Sequence, residues 1–350
     1  MYQSNILRLR GVAPRLQAHP TNTPHHHIPH LLPLSTQRAY SLPAESPPPQ
    51  FTPSNRLSNR TCMITGGTSG IGFSIAERFL QEGASRVILV GRSYERLYNA
   101  ASRLQIDSPA IIPSTEPPQP ITNPEKHQLL DSSSRISLLI GDIADAGSWT
   151  RELEKAMQAT NPDILVNAAG LSISSILPKS EPTDISRILR TNLEGALLTS
   201  RAFIRASIRN RMKKSTTTTS ESPAASSSSS SSSSKCIINI SSLLAHKSGT
   251  GAVPYAASKA GVLGLTRSVA VEAAASLRDV VVRSNAIVPG YIETPMISDF
   301  SDGETARLKE SIPVRRFGRP EEVADAAVFL AQNEYANNCV LNLDGGLSAI

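Results

Sequence analysis

The sequence lacks any uninterrupted apolar run of the roughly 18 residues that a membrane-spanning helix needs, so we expect a soluble protein. Cysteine is also scarce: Cys62, Cys236 and Cys339 lie far apart, and none of them forms a CxxC pair. This spacing argues against both a disulfide framework and a zinc site, and we interpret the three residues as core thiols.

Acidic residues are missing from the start of the chain, where Glu45 is the first. Four arginines precede it, and without them the formal charge falls from +6 to +2, which gives little support to a nucleic-acid partner. Five of the seven histidines lie in the same leader, so a metal site built from them would lie outside the folded body, and we predict none. The leader arginines are Arg8, Arg10, Arg15 and Arg38.

Residues 1–53 have the composition of a mitochondrial transit peptide, because they are rich in Arg, Ser, Pro and His and interleave leucine with arginine in NILRLRGVAPRL. Arg38 lies three residues before a cleavage point that we predict between Tyr40 and Ser41. The alternative is an ordinary disordered tail. The leader therefore predicts import into the mitochondrial matrix, followed by a single folded domain over residues 54–350.

Seven short β-branched runs alternate with helical patterns after the leader. Near-continuous apolar strands of this kind favour a parallel sheet covered by helices on both faces. We therefore predict an α/β fold with one doubly wound, Rossmann-like parallel sheet. The runs are RTCMI, RVILV, RISLLI, DILVN, KCIINIS, VVVRSNAI and CVLNLD.

Two segments interrupt this alternation: residues 106–134 are rich in Pro and Ser, and residues 213–235 are almost entirely polar. Neither composition buries enough apolar surface to offset the entropy lost on ordering. We predict two disordered surface insertions on which the fold does not depend.

A glycine-rich loop, TGGTSGIG, follows the first predicted strand and opens a predicted helix. Its glycines permit a tight turn and close approach of a pyrophosphate, and the helix N-terminus directs N–H groups at the phosphates. A purely structural turn is the alternative, but the position between strand and helix favours dinucleotide binding. The candidate binding residues are Thr65, Gly66, Thr68, Ser69, Gly70, Ile71 and Gly72.

The second predicted strand ends in VILVGRS, which places Arg92 and Ser93 where a carboxylate would hold the ribose hydroxyls of NAD. Because an arginine can pair with a 2′-phosphate, we predict NADP(H) as the cofactor. An exposed loop arginine without a ligand is the alternative.

Tyr255 and Lys259 are four residues apart in YAASK and lie on one face of a predicted helix. A nearby positive charge favours phenolate, so we expect Lys259 to lower the pKa of Tyr255 from about 10 towards neutrality and make it a proton donor. For such a pair taken alone, an incidental position on a solvated helix face is the commoner explanation.

These motifs together resemble the short-chain dehydrogenase/reductase family over about residues 57–350, apart from the insertions. TGGTSGIG is similar to the family's TGxxxGxG loop, YAASK to its Y-x-x-x-K pair, and NAAG to its NNAG signature, with alanine replacing one asparagine. The segments GDIAD, NAAG, TNLEGALL, NISS and VPGYIETPM place further site residues by this resemblance: Asp142, Ile143, Asn167, Ala168, Gly170, Asn192, Ser242, Pro289, Gly290, Ile292 and Thr294.

The resemblance implies reduction of a carbonyl by NADPH. Tyr255 would supply the proton, and Lys259 would also hold the nicotinamide ribose. Ser242 would orient the carbonyl, with Ser241 as the alternative, and Asn192 would steady a water that links Lys259 to solvent.

The substrate is implied by a closer resemblance to the reductases of bacterial-type fatty-acid synthesis, which reduce 3-oxoacyl groups on acyl carrier protein. Arg209, Arg211 and Arg278 lie where those enzymes present positive charge to the acidic carrier protein, although basic residues also complement a helix C-terminus.

A homotetramer is implied by the same analogy. The alternatives are a reductase of a free ketone, steroid or quinone, a non-catalytic partner subunit, and a module that senses NADP(H) without turning it over.

Fusing residues 1–50 to a fluorescent reporter tests the leader. Because an arginine-rich presequence without acids directs import, we expect the reporter in mitochondria. The same fusion with Arg8, Arg10 and Arg15 replaced by glutamine is the matched control and should stay in the cytosol. A diffuse signal from the unaltered fusion would contradict the targeting prediction.

Overall fold

The computed structural model describes residues 54–107, 128–217, 234–247, 249–276, 280–298 and 300–349. The leader with its predicted cleavage point lies outside this part of the chain, as do Arg278 and the central residues of both predicted insertions. No helix within the described ranges is long and apolar enough to cross a bilayer.

One eight-stranded sheet organises the fold, in the order β3-β4-β2-β1-β5-β6-β7-β8. Every neighbouring pair is parallel except β3 with β4. All seven predicted strands are confirmed, together with one that was not predicted. The strands are β1 (Thr61–Thr65), β2 (Arg86–Gly91), β3 (Leu129–Asp131), β4 (Ile136–Ile140), β5 (Ile164–Asn167), β6 (Lys235–Ile240), β7 (Val282–Pro289) and β8 (Val340–Leu343).

Helices cover both faces of this sheet, as the apolar runs predicted. Because successive strand residues point to opposite faces, Cys62 and Ile64 pack with α1, α2 and α8, while Met63 between them packs with α3, α5 and α6. The helices are α1 (Gly70–Gln81), α2 (Tyr94–Asp107), α3 (Ser148–Thr160), α4 (Pro182–Leu189), α5 (Gly195–Thr217), α6 (Val253–Ser276), α7 (Asp302–Ser311) and α8 (Pro320–Gln332).

The predicted boundaries of the insertions are wrong where the structure describes them. Helix α2 continues to Asp107, α5 continues to Thr217, and β3 lies inside the segment predicted to be disordered. The three residues of β3 are held by antiparallel pairing with β4, with Leu130 opposite Leu138, through a turn in which Ser133 Oγ accepts from Ile136 N at 3.1 Å. Composition could not show this pairing because β3 is stabilised by its partner strand.

The chain returns from the second insertion at a well-bonded point. Ser234 Oγ accepts from Arg283 Nε at 2.6 Å, and Lys235 Nζ donates to Pro162 O at 2.8 Å and to Asp163 Oδ1 at 3.0 Å. Lys235 begins β6, so these contacts lie at the edge of the sheet opposite the carboxyl ends of the parallel strands.

Candidate active site

The carboxyl ends of the parallel strands bring the predicted site residues to one edge of the sheet. The chain runs from β1 outward to β2, β3 and β4, then crosses to β5 on the other side of β1. The reversal leaves a crevice between the ends of β1 and β5, where open α/β sheets bind ligands. The glycine loop follows β1, and the NAAG segment follows β5.

The glycine loop has the shape of a nucleotide cradle. Gly66 and Gly70 adopt left-handed φ angles of 70° and 55°, which favour glycine. A Cβ on Gly66 would lie 2.7 Å from the backbone of Ala169, and one on Gly70 would lie 3.2 Å from Thr294 Cγ2. The loop therefore touches the segments after both β5 and β7, and its backbone stays open to a pyrophosphate at the start of α1.

Three residues that were predicted to bind the cofactor direct their side chains into the protein interior. Asn167 Nδ2 donates to Asn239 Oδ1 at 2.8 Å and to Ser200 Oγ at 3.1 Å, so the amide links β5, β6 and α5. Thr65 Oγ1 accepts from Ala169 N at 3.3 Å. Ile143 is buried against the start of α5. Asn167 and Thr65 would therefore contact a cofactor through their backbone atoms, because their side-chain polar groups already form hydrogen bonds within the protein.

Ser242 hydrogen-bonds Tyr255, but the expected lowering of the tyrosine pKa by Lys259 is wrong. Burial raises the pKa of the Tyr255 hydroxyl above its ordinary value of 10, and a hydrogen bond with Ser242 opposes this shift. The Lys259 ammonium lies 5.7 Å from the centroid of the tyrosine ring, under its face, and is not among the groups that lower this pKa. The phenol is therefore held in its protonated form at neutral pH.

Lys259 is itself almost fully buried, with 4% of its surface exposed. Nζ donates to Ile240 O at 2.8 Å, and burial lowers the pKa of the ammonium from 10.5 to about 8. Ser241, the alternative to Ser242, is buried and donates through Oγ to Lys259 O at 2.8 Å. Ser241 thus anchors α6 to the end of β6, and Ser242 is the serine that reaches Tyr255.

Asn192 lies in a single π-helical turn, Arg190–Glu194, between α4 and α5. Its Oδ1 accepts from Leu171 N at 2.8 Å, and its Nδ2 donates to Leu171 O at 2.9 Å and to Ser258 Oγ at 3.0 Å. A Cβ on Gly170 would lie 3.5 Å from Lys259 Nζ and 3.8 Å from Asn192 Oδ1. The glycine of NAAG therefore keeps the space beside the asparagine and the ammonium open.

The segment after β7 closes the crevice on the far side. Gly290 N donates to Leu343 O at 2.9 Å, and a Cβ on Gly290 would lie 2.8 Å from Asp344. Ile292 is buried and forms a parallel bridge with Gly318. Pro289 ends β7, and Thr294 precedes a short 3-10 helix, Pro295–Ile297. These contacts fix the segment opposite the glycine loop.

At the end of β2 the structure adds a residue that sequence reasoning missed. Arg92 Nη1 lies 4.0 Å from Asp142 Oδ2, and Ser93 Oγ accepts from Arg96 N at 3.3 Å at the start of α2. Arg96 Nη2 donates to Thr68 Oγ1 at 3.3 Å and to Ser69 Oγ at 3.5 Å, so a second arginine reaches the glycine loop. The sequence signal that could have identified Arg96 is its position four residues after Arg92, in the first turn of the next helix.

A small cleft opens beside Pro254, the residue before Tyr255. Its walls come from the loop after β5 and from α4, and they are mixed in character: Ile173, Ile185 and Ile188 are apolar, whereas Ser175, Lys179, Ser180, Glu181 and Asp184 are polar or charged. Ile176, Leu177 and Val253, neighbours in the chain of these lining residues, are 46%, 50% and 46% exposed, so exposed apolar side chains flank the cleft in the sequence. The described residues contain no cluster of three or more His, Cys, Asp or Glu side chains that could hold a metal.

Comparison with sequence families gives two matches. A model described as an SDR-like Rossmann domain matches residues 53–114, and one described as enoyl-(acyl carrier protein) reductase matches residues 123–348. Three 3-oxoacyl-[acyl-carrier-protein] reductases are among the similar proteins. Those of Thermotoga maritima and Homo sapiens are 29% identical, each match covering 83% of this chain and 99% of the relative; that of Bos taurus is 30% identical, covering 83% and 98%.

Solved structures agree in architecture. A protein from Beutenbergia cavernae, described as an NAD(P)-dependent gluconate 5-dehydrogenase with NADP bound at low occupancy, superposes with a TM-score of 0.65 at 27% identity, covering 86% of this chain and all of its own. A protein from Sinorhizobium meliloti described as a short-chain alcohol dehydrogenase gives 0.64 at 28% identity, covering 84% and 98%.

The depressed pKa of Lys259 predicts how stability changes with pH in the cofactor-free protein. Between pH 8 and 10.5 the unfolded chain holds a proton on this lysine that the folded protein has lost, so this group makes stability rise with pH. In Lys259→Met the contribution is absent. Between pH 8 and 10.5, we expect the unfolding free energy of the wild type to rise relative to that of the variant by on the order of 3 kcal/mol.

Urea denaturation at pH 7.5, 9 and 10 measures this difference. Lys155→Met is the matched control, because the Lys155 side chain is 71% exposed, and we expect no such divergence there. If the difference in unfolding free energy between wild type and Lys259→Met stays constant with pH, burial does not lower the pKa of Lys259.

Proposed function

The chain belongs to the short-chain dehydrogenase/reductase family and is an NAD(P)-dependent oxidoreductase of CH–OH and C=O groups; from this premise we propose that it reduces 3-oxoacyl groups on acyl carrier protein to the 3-hydroxyacyl form. The relatives named for this activity support the substrate class, since they are about 30% identical over 83% of the chain. The observation that carries the proposal is the convergence of Ser242, Tyr255 and Lys259 at the end of β6 and the start of α6.

The proposed roles follow from the protonation states. Tyr255, kept protonated by burial, donates its proton to the oxygen that becomes the alcohol, and Ser242 hydrogen-bonds the same oxygen as charge develops. Lys259, a cation at neutral pH, restores the tyrosine proton and binds the ribose of the cofactor. Asn192 Oδ1 accepts one bond from Leu171 N and keeps a second lone pair for a water beside Lys259.

The cofactor proposed for this reaction is NADP(H). The positive φ angles of Gly66 and Gly70, and the backbone that a Cβ there would strike, fit a bound pyrophosphate. When bound, the reduced nicotinamide supplies the hydride. The protein's part is to hold the phosphates at the start of α1 and to present an arginine to the 2′-phosphate at the end of β2.

Acyl carrier protein as the substrate carrier is supported by the relatives named for this substrate and by exposed positive charge on α5. Arg211 is exposed at the C-terminal end of this helix, whereas Arg209 pairs with Glu154 of α3. Nineteen residues of helix separate Arg211 from Asn192, which is roughly 28 Å. Arg211 therefore lies at the end of α5 that is remote from the catalytic residues of its own subunit. Because Arg209 is already paired with Glu154, Arg211 is the stronger docking candidate of the two.

A homotetramer and a mitochondrial matrix location complete the proposal. Of the small residues on α5 and α6, Gly195 and Gly261 serve packing within the subunit, because a Cβ there would lie 2.9 Å from Ile143 and 2.7 Å from Leu193. Gly264 has open space around it, and Ala257 and Ala260 are exposed, so these three are available to a neighbouring subunit. The transit-like leader supports the location.

Tyr255→Phe tests the proton donor. The variant keeps the ring and removes the transferable proton, so we expect turnover to fall by on the order of a hundredfold or more while NADPH binding is kept. Steady-state NADPH oxidation and cofactor fluorescence measure the two effects. Near-normal turnover would remove Tyr255 from this role and favour a different acid. Tyr335→Phe, which removes the same hydroxyl from a tyrosine that is 97% exposed, is the matched control and should leave turnover unchanged.

NADPH oxidation with acetoacetyl-acyl carrier protein tests the function, against the coenzyme A thioester, a free ketone, a steroid, a quinone and an enoyl thioester. We expect the carrier-linked 3-oxo substrate to have the highest kcat/KM. Arg211→Glu should raise KM for that substrate alone, because only the carrier uses the positive charge. A preference for the ketone, steroid or quinone would favour the alternative reductase. Bound NADPH without turnover on any substrate would favour the sensor module or the non-catalytic subunit.

A further inference from the structure

Two arginines follow β2, and they point to opposite sides of the strand's end. Gly91 ends β2, and a Cβ on it would lie 3.4 Å from Thr68 Cγ2, so the strand's end touches the glycine loop. Arg92 turns towards Asp142 at the end of β4. Arg96, in the first turn of α2, turns towards Thr68 and Ser69 in the loop itself.

The charges of the two guanidinium groups are balanced differently. Arg92 Nη1 lies 4.0 Å from the Asp142 carboxylate, so an anion beside Arg92 would also lie near a negative charge, although water screens this exposed pair. Within the described ranges, no carboxylate lies within ion-pair distance of Arg96, and its side-chain hydrogen bonds go to the two hydroxyls. Arg96 therefore carries, beside the glycine loop, a positive charge that no carboxylate of the described residues neutralises.

A phosphate suits this group of donors. Each hydroxyl accepts from Arg96 and keeps its own proton for donation, so one guanidinium and two hydroxyls offer several donors to one acceptor. The adenosine ribose of a dinucleotide lies at the end of the second strand, beside the glycine loop. We infer that Arg96, with Thr68 and Ser69, forms the main contact for the 2′-phosphate of NADP(H), and that Arg92 contributes less.

This inference rests on the proposed use of NADP(H) and is tested by binding without any acyl substrate. Nicotinamide fluorescence on titration with NADPH and NADH gives two dissociation constants for the wild type and for Arg96→Ala, Arg96→Lys and Arg92→Ala. We expect Arg96→Ala to weaken NADPH about tenfold or more and to leave NADH within about twofold, because only NADPH carries the phosphate. Arg96→Lys should retain part of the preference, and Arg92→Ala should lose less of it.

Arg103→Ala is the matched control, since Arg103 lies on the same helix and stacks on Phe73, 4.1 Å from the ring centroid. It should bind both nucleotides as the wild type does. If Arg96→Ala weakens NADPH and NADH equally, or if Arg92→Ala loses more of the preference, the inference is wrong. If Arg96→Ala fails to fold in a thermal melt, Thr68→Val decides: an unchanged NADPH preference there overturns the inference.

This inference depends on the NADP(H) proposal, whereas it and the substrate proposal can fail independently of each other. A wild-type protein that binds NADH as tightly as NADPH would overturn both the NADP(H) proposal and this inference. A normal NADPH preference without activity on acyl carrier protein would reject the substrate proposal alone.

Discussion

The burial of one ammonium group under a tyrosine ring is the contact on which the candidate site depends. Taking Lys259 out of water is costly, and the protein offsets part of that cost with the Ile240 carbonyl. The hydrogen bond from Lys259 to Ile240 O forms only if the start of α6 packs against the end of β6. The Ser241–Lys259 backbone bond and the Asn192–Ser258 hydrogen bond stabilise this position of α6. The chemistry proposed for Tyr255 therefore depends on a small buried polar network.

The side chains of the motif residues have two kinds of role in and around this network. Ser242, Tyr255 and Lys259 face one another, while Asn167, Thr65 and Ser241 bond inward and hold strand ends and α6 in place. Buried polar groups of this second kind are costly to leave unpaired, so they specify one arrangement of the strand ends. The two glycines have different roles, since a Cβ on Gly66 would strike the Ala169 backbone and one on Gly170 would enter the space beside Lys259 and Asn192.

The two edges of the sheet have different tasks. The carboxyl ends carry the glycine loop and the tyrosine. The opposite edge receives the chain from the second insertion, where Arg283 and Asp163 bind Ser234 and Lys235. Because β6 separates Lys235 from Ser242 by about 20 Å of extended chain, additions at that edge leave the crevice untouched. The C-terminal end of α5, with Arg211, belongs to the same remote edge.

Local patterns were enough for much of this protein. The alternation of apolar runs predicted seven strands and a helix-covered sheet, the glycine loop predicted its own turn, and YAASK predicted a shared helix face, because each depends on backbone geometry over a few residues. Only the tertiary structure decided the rest. It showed β3 paired with β4, a raised pKa for Tyr255, an Arg92 near Asp142, and Arg96 at the glycine loop. Strand pairing, desolvation and charge balance depend on groups far apart in the chain, and no local pattern records which of them meet.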